Sequence, residues 1–463
     1  MRIVDIGSMK KKISHRFLPD DLVLDIIARS RSPATIIRCA AVSKPLRRRI
    51  LHPSFLRRVV IASGTGDDDP LPSFIPSILL GVYHRPRDDP CCPLAFLPAA
   101  ASSLPPVSPT ADDAAPIDDD DDDDSHGGAC VFGGPYRPMS SRRSLVVLRR
   151  RCDVVSHHHG GELTVWNPAS GERWVLPPHD HEVLDQSIVL LDVNHRHHHH
   201  RNGGDQAAAA AAATIWSSSF KLLVAHLPAE RSPRTLNVQV FSSDDGEWGP
   251  PLACAIPTDC ELHNHAKPVV LRGAVHWLCL THSRHRILVL KWPSRDAAAA
   301  AQAPMASLMK LPPPCESGAY DTCLALSPSP SDGTGAGAAT SLSVVVLVGD
   351  HIAVWVRAGG GAAAAARWER RHVVREESIA AAWPMEGSSL GDGWLGRTRL
   401  GSFCEGSGAL LLERDDDDGR RRPLVLDMGA MVVRKVDMDS REAEFVHYEV
   451  DLVSYMMFIM RAF

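Results

Sequence analysis

The stretch ELTVWNPASGERWVLPP, residues 162–178, contains two short apolar runs, each with a tryptophan, separated by a polar turn. Asn167-Pro168 favours a turn at this point, and Gly171 accepts the positive φ that a tight hairpin requires. Two further segments repeat the arrangement loosely: LNVQVFSSDDGEWGP, residues 236–250, and IAVWVRAGGGAAAAARWERR, residues 352–371. A recurring hairpin with an inward-pointing aromatic side chain is typical of the blades of a β-propeller.

The chain from residue 129 to residue 463 has the same texture throughout. Short runs rich in Val, Leu, Trp and Thr are bounded by Gly, Pro, Asn and Asp, and no segment shows a long helical period. Many short strands at this spacing predict an all-β domain, β-propeller-like, with a β-sandwich as the alternative. We expect the four tryptophans in these runs to pack in the core, with an aromatic ligand platform as the alternative: Trp166, Trp174, Trp248 and Trp277.

Low-complexity inserts interrupt this domain. They are rich in Ala, Gly and His, and we expect each to be a solvent-exposed loop between strands, because the entropy cost of closing a loop grows slowly with its length. The four inserts are Asn194 to Ala213, Asp296 to Ala303, Pro328 to Ala339 and Ala358 to Ala366.

Residues 17–58 have a different pattern, which predicts three short helices. Asp20 is placed to cap the first, Ser32 and Pro33 to begin the second, and Ser43 to cap the third, which should end at Leu51. Three helices of about ten residues bury too little area for an independent core. Such a unit should therefore keep an apolar face for a partner.

The order and spacing of several pieces in this unit resemble the F-box family. The pieces are Leu18-Pro19, Asp20-Asp21, Leu22 to Ile27, Val42-Ser43-Lys44, Arg47 to Arg49 and Pro53-Ser54-Phe55. The chain departs from the family at Pro45 and at Leu46, where the family usually has tryptophan. The resemblance implies docking onto the Skp-type adaptor of a cullin–RING ubiquitin ligase. By the family's contact pattern and by apolar spacing, the docking residues would be Leu18, Pro19, Leu22, Ile26, Ile37, Val42 and Leu46.

Motifs in the β-rich region resemble the associated domain that follows the F-box in a large plant family. They are Val165 to Gly171 with Leu176-Pro177-Pro178, Phe220-Lys221-Leu222, Ser242 to Trp248, Gly273 to Leu278, and Ile287 to Lys291. The two resemblances together imply a non-catalytic, cofactor-free adaptor that holds an unidentified target protein near the ubiquitin-charged enzyme. The alternatives are an interaction protein outside a ligase and a metal-binding protein that uses its His-rich loops.

Length and charge set the remaining expectations on domains and partners. A chain of 463 residues favours two domains. We expect a flexible lead-in at 1–16, the helical domain at 17–58, a linker with an Asp-rich disordered loop at 59–128, and the β-rich domain at 129–463. Within the linker, the apolar run Ser77 to Tyr83 is a candidate strand. The net charge is −5, yet residues 1–60 carry about +10, from fourteen Lys or Arg against four Asp. Arg47 to Arg49 are not interleaved with aromatic residues, which favours a solvated helix face over a nucleic-acid partner.

Histidine is the residue type that most suggests chemistry. His157 to His159, His195 and His197 to His200 lie beside glycines, so their imidazoles lack the rigid support that a specific metal site needs.

No catalytic motif is found, which excludes the enzyme classes defined by such motifs. Eleven mostly isolated cysteines favour reduced thiols, and no apolar run approaches ~18 residues. We therefore expect a soluble protein of the cytoplasm or nucleus without a membrane partner.

Overall fold

In the computed structural model of the chain, the described residues include three helices that precede a set of six β-sheets. The helices are α1 Asp20–Arg29, α2 Pro33–Val42 and α3 Lys44–Ile50. The structure describes residues 18–30, 33–52, 55, 78–86, 94–98, 130–132, 136–150, 161–179, 186–197, 216–227, 235–256, 260–262, 267–282, 284–292, 304–316, 320–328, 340–358, 367–377, 398–415, 421–428, 432–435, 443–451 and 455. Within these residues, no helix has the length and apolar character needed to cross a membrane.

The helix boundaries follow from local chemistry. Helix α2 begins at Pro33, where the missing N–H has no helical partner to lose. The Ser43 hydroxyl accepts a hydrogen bond from the backbone N–H of Leu46 at 3.3 Å, so Ser43 caps α3 as expected, and Pro45 is tolerated in the first turn. The expected cap by Asp20 is wrong, because Asp20 is the first helical residue and Pro19 occupies the capping position without a side-chain bond.

The six sheets are the blades of a β-propeller, so the propeller expectation is confirmed, and the described strands do not form a sandwich. Each blade is an antiparallel sheet that runs from an inner to an outer strand. In that order, blade 1 contains β26 Ala443–Glu449, β1 Leu79–Pro86, β2 Leu94–Pro98 and β3 Cys130–Phe132; blade 2 contains β4 Tyr136–Arg142, β5 Leu145–Arg150, β6 Leu163–Trp166 and β7 Arg173–Val175. Blade 3 contains β8 Gln186–His197, β9 Trp216–His226, β10 Thr235–Ser242, and an interrupted outer strand of β11 Glu247–Trp248 and β12 Leu252–Ala255.

The second half of the ring has the same organisation. Blade 4 has an interrupted inner strand, β13 Glu261–Leu262 and β14 Val269–Leu271, followed by β15 Ala274–Thr281, β16 Arg284–Lys291 and β17 Met305–Lys310. Blade 5 contains β18 Asp321–Pro328, β19 Thr340–Val348, β20 His351–Ala358 and β21 Arg367–Arg375; blade 6 contains β22 Thr398–Phe403, β23 Ala409–Asp415, β24 Arg421–Asp427 and β25 Val432–Lys435. A 3-10 turn at Pro313–Cys315 precedes blade 5.

Blade 1 closes the ring by pairing the two ends of the β-rich region. Strand β26 pairs with β1, with Tyr83 opposite Val446 and His84 opposite Phe445. Strands β1 and β2 lie inside residues 59–128, so the assignment of that whole interval to a linker is corrected. The apolar run Ser77 to Tyr83 agrees with β1, whereas β2 is short and flanked by prolines, which leaves little local pattern to predict it. The Asp-rich run lies outside the described residues.

The hydrophobic core lies between neighbouring blades. Separate clusters join blades 2 and 3, blades 3 and 4, and blades 6 and 1, and a larger one joins blades 4, 5 and 6. A further cluster joins blades 1 and 2 with the buried side chains of the helical unit. Propeller stability therefore depends on interfaces that every blade shares with both neighbours.

The three repeated sequence segments occupy equivalent positions in the ring. Residues 162–178, 236–250 and 352–371 each contain the third and fourth strands of a blade, in blades 2, 3 and 5. Gly171 has a φ of 76° at the turn, and Asn167 Oδ1 accepts the backbone N–H of Ala169 at 3.0 Å. Trp166 and Trp277 are buried, which confirms the expected core role for these two, while Trp174 and Trp248 pack half-buried beside the cluster of blades 2 and 3.

The strands that flank the long inserts end on one side of the ring. In an antiparallel blade, the first-to-second and third-to-fourth connections share one face of the propeller, which we call the front face. The connections β2–β3, β8–β9, β16–β17, β18–β19 and β20–β21 are all of these two kinds. Residues 198–215, 293–303, 329–339 and 359–366 lie outside the described residues. Strand β8 extends through His197, so Asn194 to His197 belong to a strand and not to the expected loop.

Candidate functional site

The helical unit presents apolar side chains to solvent. Leu18 is 58% exposed, Leu22 50%, Ile26 59% and Val42 77%, and Pro19 is also exposed. Leu22 and Ile26 are four residues apart, so they form one stripe on the surface of α1. Half of the exposed large hydrophobic side chains among the described residues lie in this short unit. Contiguous exposed apolar surface is typical of an interaction site.

The remaining predicted docking residues are less accessible. Ile37 and Leu46 are half-buried and pack against the cluster that contains Ile36, Ile50 and Phe55. The unit therefore has a buried side that joins the core of blades 1 and 2 and an outer side formed by the more exposed residues.

A second candidate site is the central cavity, which the sequence analysis did not anticipate. It has a volume of about 630 Å³ and is lined by residues from the inner strands or front-face turns of all six blades. Polar lining comes from Arg142, Lys267, Ser402, Glu405 and His447, and the apolar walls include Val269 and Phe403. Its size and mixed lining are in the range of small-ligand sites.

Arg142 connects three blades across this cavity. Its Nε lies 2.9 Å from Glu405 Oε2, and its Nη1 donates to the backbone carbonyls of Leu190, at 3.0 Å, and Leu191. The two charged side chains are only 15% and 24% exposed, so solvent screens their attraction less than it would at the surface. The pair therefore joins blade 2 to blade 6, while the carbonyl contacts join blade 2 to blade 3.

Glu449 closes the ring where β26 ends. Its carboxylate accepts hydrogen bonds from the backbone N–H of Gly406 at 3.0 Å, the backbone N–H of Ser407 at 2.7 Å, and the Ser407 hydroxyl. Its own carbonyl accepts the backbone N–H of Ser144 at 2.8 Å. Burial raises the pKa of Glu449, and the donors from Ser407 and Gly406 oppose that rise. Glu449 thus holds blades 6, 1 and 2 together.

Ser402 and His447 form a hydrogen-bonded pair deeper in the cavity. Ser402 Oγ lies 2.9 Å from His447 Nδ1. Burial lowers the pKa of His447 to about 4, with Glu405 opposing that shift and Lys267 adding to it. The imidazole is therefore neutral at pH 7 and a weak base. Lys267 Nζ donates to the Met139 carbonyl at 3.1 Å, which ties blade 4 to blade 2.

Two arginines stand at strained turns on the front face. Arg143 has a φ of 45° and is followed by Ser144 at 69°; Arg272 has a φ of 51° and is followed by Gly273 at 72°. Both pairs form two-residue hairpin turns, which favour Asn-Gly or Gly-Gly because both residues need positive φ. A residue with a Cβ in this region costs about 1–2 kcal/mol. Arg143 and Arg272 both line the central cavity.

The histidine-rich loops give no metal site within the described part of the chain. His157 to His159 and His198 to His200 lie outside the described residues. His195 and His197 are on β8. Among the residues that the structure describes, no group of three His, Cys, Asp or Glu side chains is arranged to hold a metal ion. Seven of the cysteines in the described part of the chain form no disulfide bond there: Cys39, Cys254, Cys260, Cys279, Cys315, Cys323 and Cys404.

Sequence reasoning missed the cavity because its residues come from separate blades. The local signal that was present is the pair of two-residue turns, Arg143-Ser144 and Arg272-Gly273, each between apolar strands. What no local pattern reveals is that the two turns face one cavity, because that proximity exists only after the ring closes.

Residues 128–463 match the family described as Domain of unknown function (DUF7595). No curated protein matches the sequence. Among solved structures, the chain is similar to TolB from Acinetobacter baumannii, at 12% identity and a TM-score of 0.26, over 64% of this chain and 59% of that one. It is also similar to dipeptidyl peptidase 4 from Porphyromonas gingivalis, at 7% identity and a TM-score of 0.28, over 78% of this chain and 54% of that one. The chain thus spans less than two thirds of either protein.

Proposed function

We propose that this chain, which belongs to the family described as Domain of unknown function (DUF7595), is a substrate-recognition adaptor of a Skp–cullin–F-box type ubiquitin ligase. The helical unit docks onto the Skp-type adaptor, and the propeller holds a target protein. Other subunits supply the chemistry, and this chain contributes proximity. The protein would work in the cytoplasm or nucleus.

The observation that carries the proposal is the set of exposed apolar side chains of the helical unit, which includes the stripe on α1. Leu18, Leu22, Ile26 and Val42 are all at least half exposed, although the same helices bury Ile27, Ile36 and Ile50. Burying a large aliphatic side chain stabilises a complex by about 2 kcal/mol, so a partner that covers this stripe gains substantially. The order of the F-box-like motifs in residues 17–58 favours the Skp-type adaptor as that partner.

The test is co-purification of the full chain with a Skp-type adaptor. We expect Leu22→Asp to weaken binding about 30-fold or more, because it removes apolar burial and places a carboxylate in the contact. The folded state should be unaffected, since Leu22 is half exposed. The matched control is Met305→Asp on β17, because Met305 is 70% exposed on the propeller and should not affect adaptor binding.

Two results would contradict the proposal. One is unchanged adaptor binding by Leu22→Asp at an unchanged thermal midpoint. The other is failure of the unmodified chain to bind the adaptor at all, which would favour the alternatives of an interaction protein outside a ligase or a metal-binding protein.

A further inference from the structure

The mouth of the central cavity carries two arginines that the turn geometry does not explain. Arg143 joins β4 to β5 and Arg272 joins β14 to β15, both by first-to-second connections. Both are exposed on the front face and line the same cavity. Each occupies a left-handed backbone position that glycine or asparagine adopts with less strain. Strained positions of this kind cluster at functional sites.

The contacts of the two guanidinium groups leave most of their donors available. Arg143 Nη1 donates to the Val193 carbonyl at 3.4 Å, and Arg272 Nη2 donates to the Thr340 carbonyl at 3.3 Å. Within the described residues, neither guanidinium has a carboxylate at ion-pair distance. A guanidinium has five N–H donors in a planar fork that matches a carboxylate or a phosphate.

The acidic side chains of the cavity are largely committed elsewhere. Glu405 is paired with Arg142, and the Glu449 carboxylate is filled by the donors of Gly406 and Ser407. Asp451 is the remaining carboxylate among the lining residues. The mouth of the cavity therefore presents positive charge. The side chains that supply it make no ion pair, among the described residues, that would account for their position.

We propose that the front-face mouth of the central cavity binds an oxyanion, a carboxylate or a phosphate, through Arg143 and Arg272. The apolar walls around Val269 and Phe403 would receive the uncharged part of the same ligand. The oxyanion belongs either to a small free molecule or to an acidic side chain of a bound peptide. This goes beyond the proposed function, because the site does not depend on docking of the helical unit.

The test uses the full chain and the double variant Arg143→Asn/Arg272→Asn. Asparagine suits positive φ, so the variant should keep or raise the thermal midpoint while it removes both cations. Calorimetric titration would use three probes: inorganic phosphate, a peptide containing Asp and Glu, and the same peptide with Asn and Gln. We expect phosphate or the acidic peptide to bind, the amide peptide not to bind, and the double variant to bind at least about tenfold more weakly.

The matched control is His282→Asn. His282 has a φ of 50° and lies at the β15–β16 turn on the opposite face, away from the cavity. It should gain stability as the arginine variants do, without a change in ligand affinity. Arg143→Gly/Arg272→Gly provides an independent version of the double variant.

The two probe classes distinguish the sources of the oxyanion. Binding of phosphate points to a small free ligand, and binding of the acidic peptide alone points to a protein ligand. The proposal is overturned if neither binds more tightly than about 1 mM, or if either double variant binds as tightly as the unmodified chain. Adaptor binding, measured on the same proteins, should be unchanged in every variant, so the two proposals fail separately.

Discussion

Three histidines with a lowered pKa make the free energy of unfolding depend on pH. Burial lowers the pKa of His84, His276 and His447 to about 4 from 6.5, so all three are neutral in the folded protein at pH 7. Between pH 6.5 and pH 4 the unfolded chain binds protons that the folded chain does not. Their contribution to stability is therefore complete above pH 6.5 and is lost as the pH falls towards 4.

We expect the free energy of unfolding to fall between pH 7 and pH 5 by about 1–2 kcal/mol for each of these histidines. Urea unfolding at pH 7, 6 and 5 measures the slope. Replacing one of them with a side chain that does not titrate, His84→Gln, should make the slope shallower. Glu449 acts in the opposite direction, because its raised pKa makes protonation favour the folded state as the pH falls. A pH-independent urea midpoint would contradict this account.

The strands and helices differ in how well the sequence predicted them. The hairpin at 162–178 was predictable because Asn167 and Gly171 provide its turn chemistry locally, and α3 was predictable because Ser43 caps it. The apolar run Ser77 to Tyr83 also indicated a strand at β1, but not that its inner partner would be β26, and β2 was not predicted. The cap at Asp20 failed because Pro19 already occupies the capping position. Local chemistry thus predicted elements whose partners lie nearby.

At the level of strand pairing, β1 and β2 approach too closely for a side chain at Gly81. A Cβ there would lie 2.0 Å from the Leu97 carbonyl oxygen and 2.6 Å from an atom of the Phe96 ring. The carbonyl belongs to the backbone of the neighbouring strand, so it cannot move without disturbing the pairing. The small residue at this position is therefore required by the packing of blade 1.

We expect Gly81→Ala to destabilise the protein by about 3 kcal/mol or more, because the new methyl group must push the two strands apart. Thermal and urea unfolding measure the loss. Gly249→Ala is the control, since its nearest neighbour, the Val240 carbonyl oxygen, would be 3.4 Å from the added Cβ. Equal midpoints for the two variants would show that β1 and β2 do not pack as described.

The whole ring is closed by a strand from each end of the β-rich region. The match to the DUF7595 family covers residues 128–463, whereas β1 and β2 lie before it. The inner strand of blade 1 therefore belongs to the family region, and its hydrogen-bonding neighbour does not. The family boundary and the boundary of the fold differ in this protein.

We expect a fragment of residues 128–463 to be less stable and more prone to aggregate than a fragment of residues 77–463. Both lack the helical unit, so they differ chiefly in β1 and β2. Without β1, β26 exposes an unpaired edge in an apolar surrounding. Size-exclusion chromatography and thermal unfolding would measure the difference. Similar behaviour of the two fragments would mean that β1 does not contribute to closure.

The pairing of β26 with β1 also has a consequence for folding during synthesis on the ribosome. Strands β1 and β2 emerge from the ribosome early, but their inner partner β26 is translated only after the other five blades. At about 5–20 residues per second, this delay is on the order of tens of seconds. During that delay the nascent chain carries an apolar hairpin that lacks its inner strand. A chaperone that shields this hairpin until translation nears its end would raise the yield of native protein.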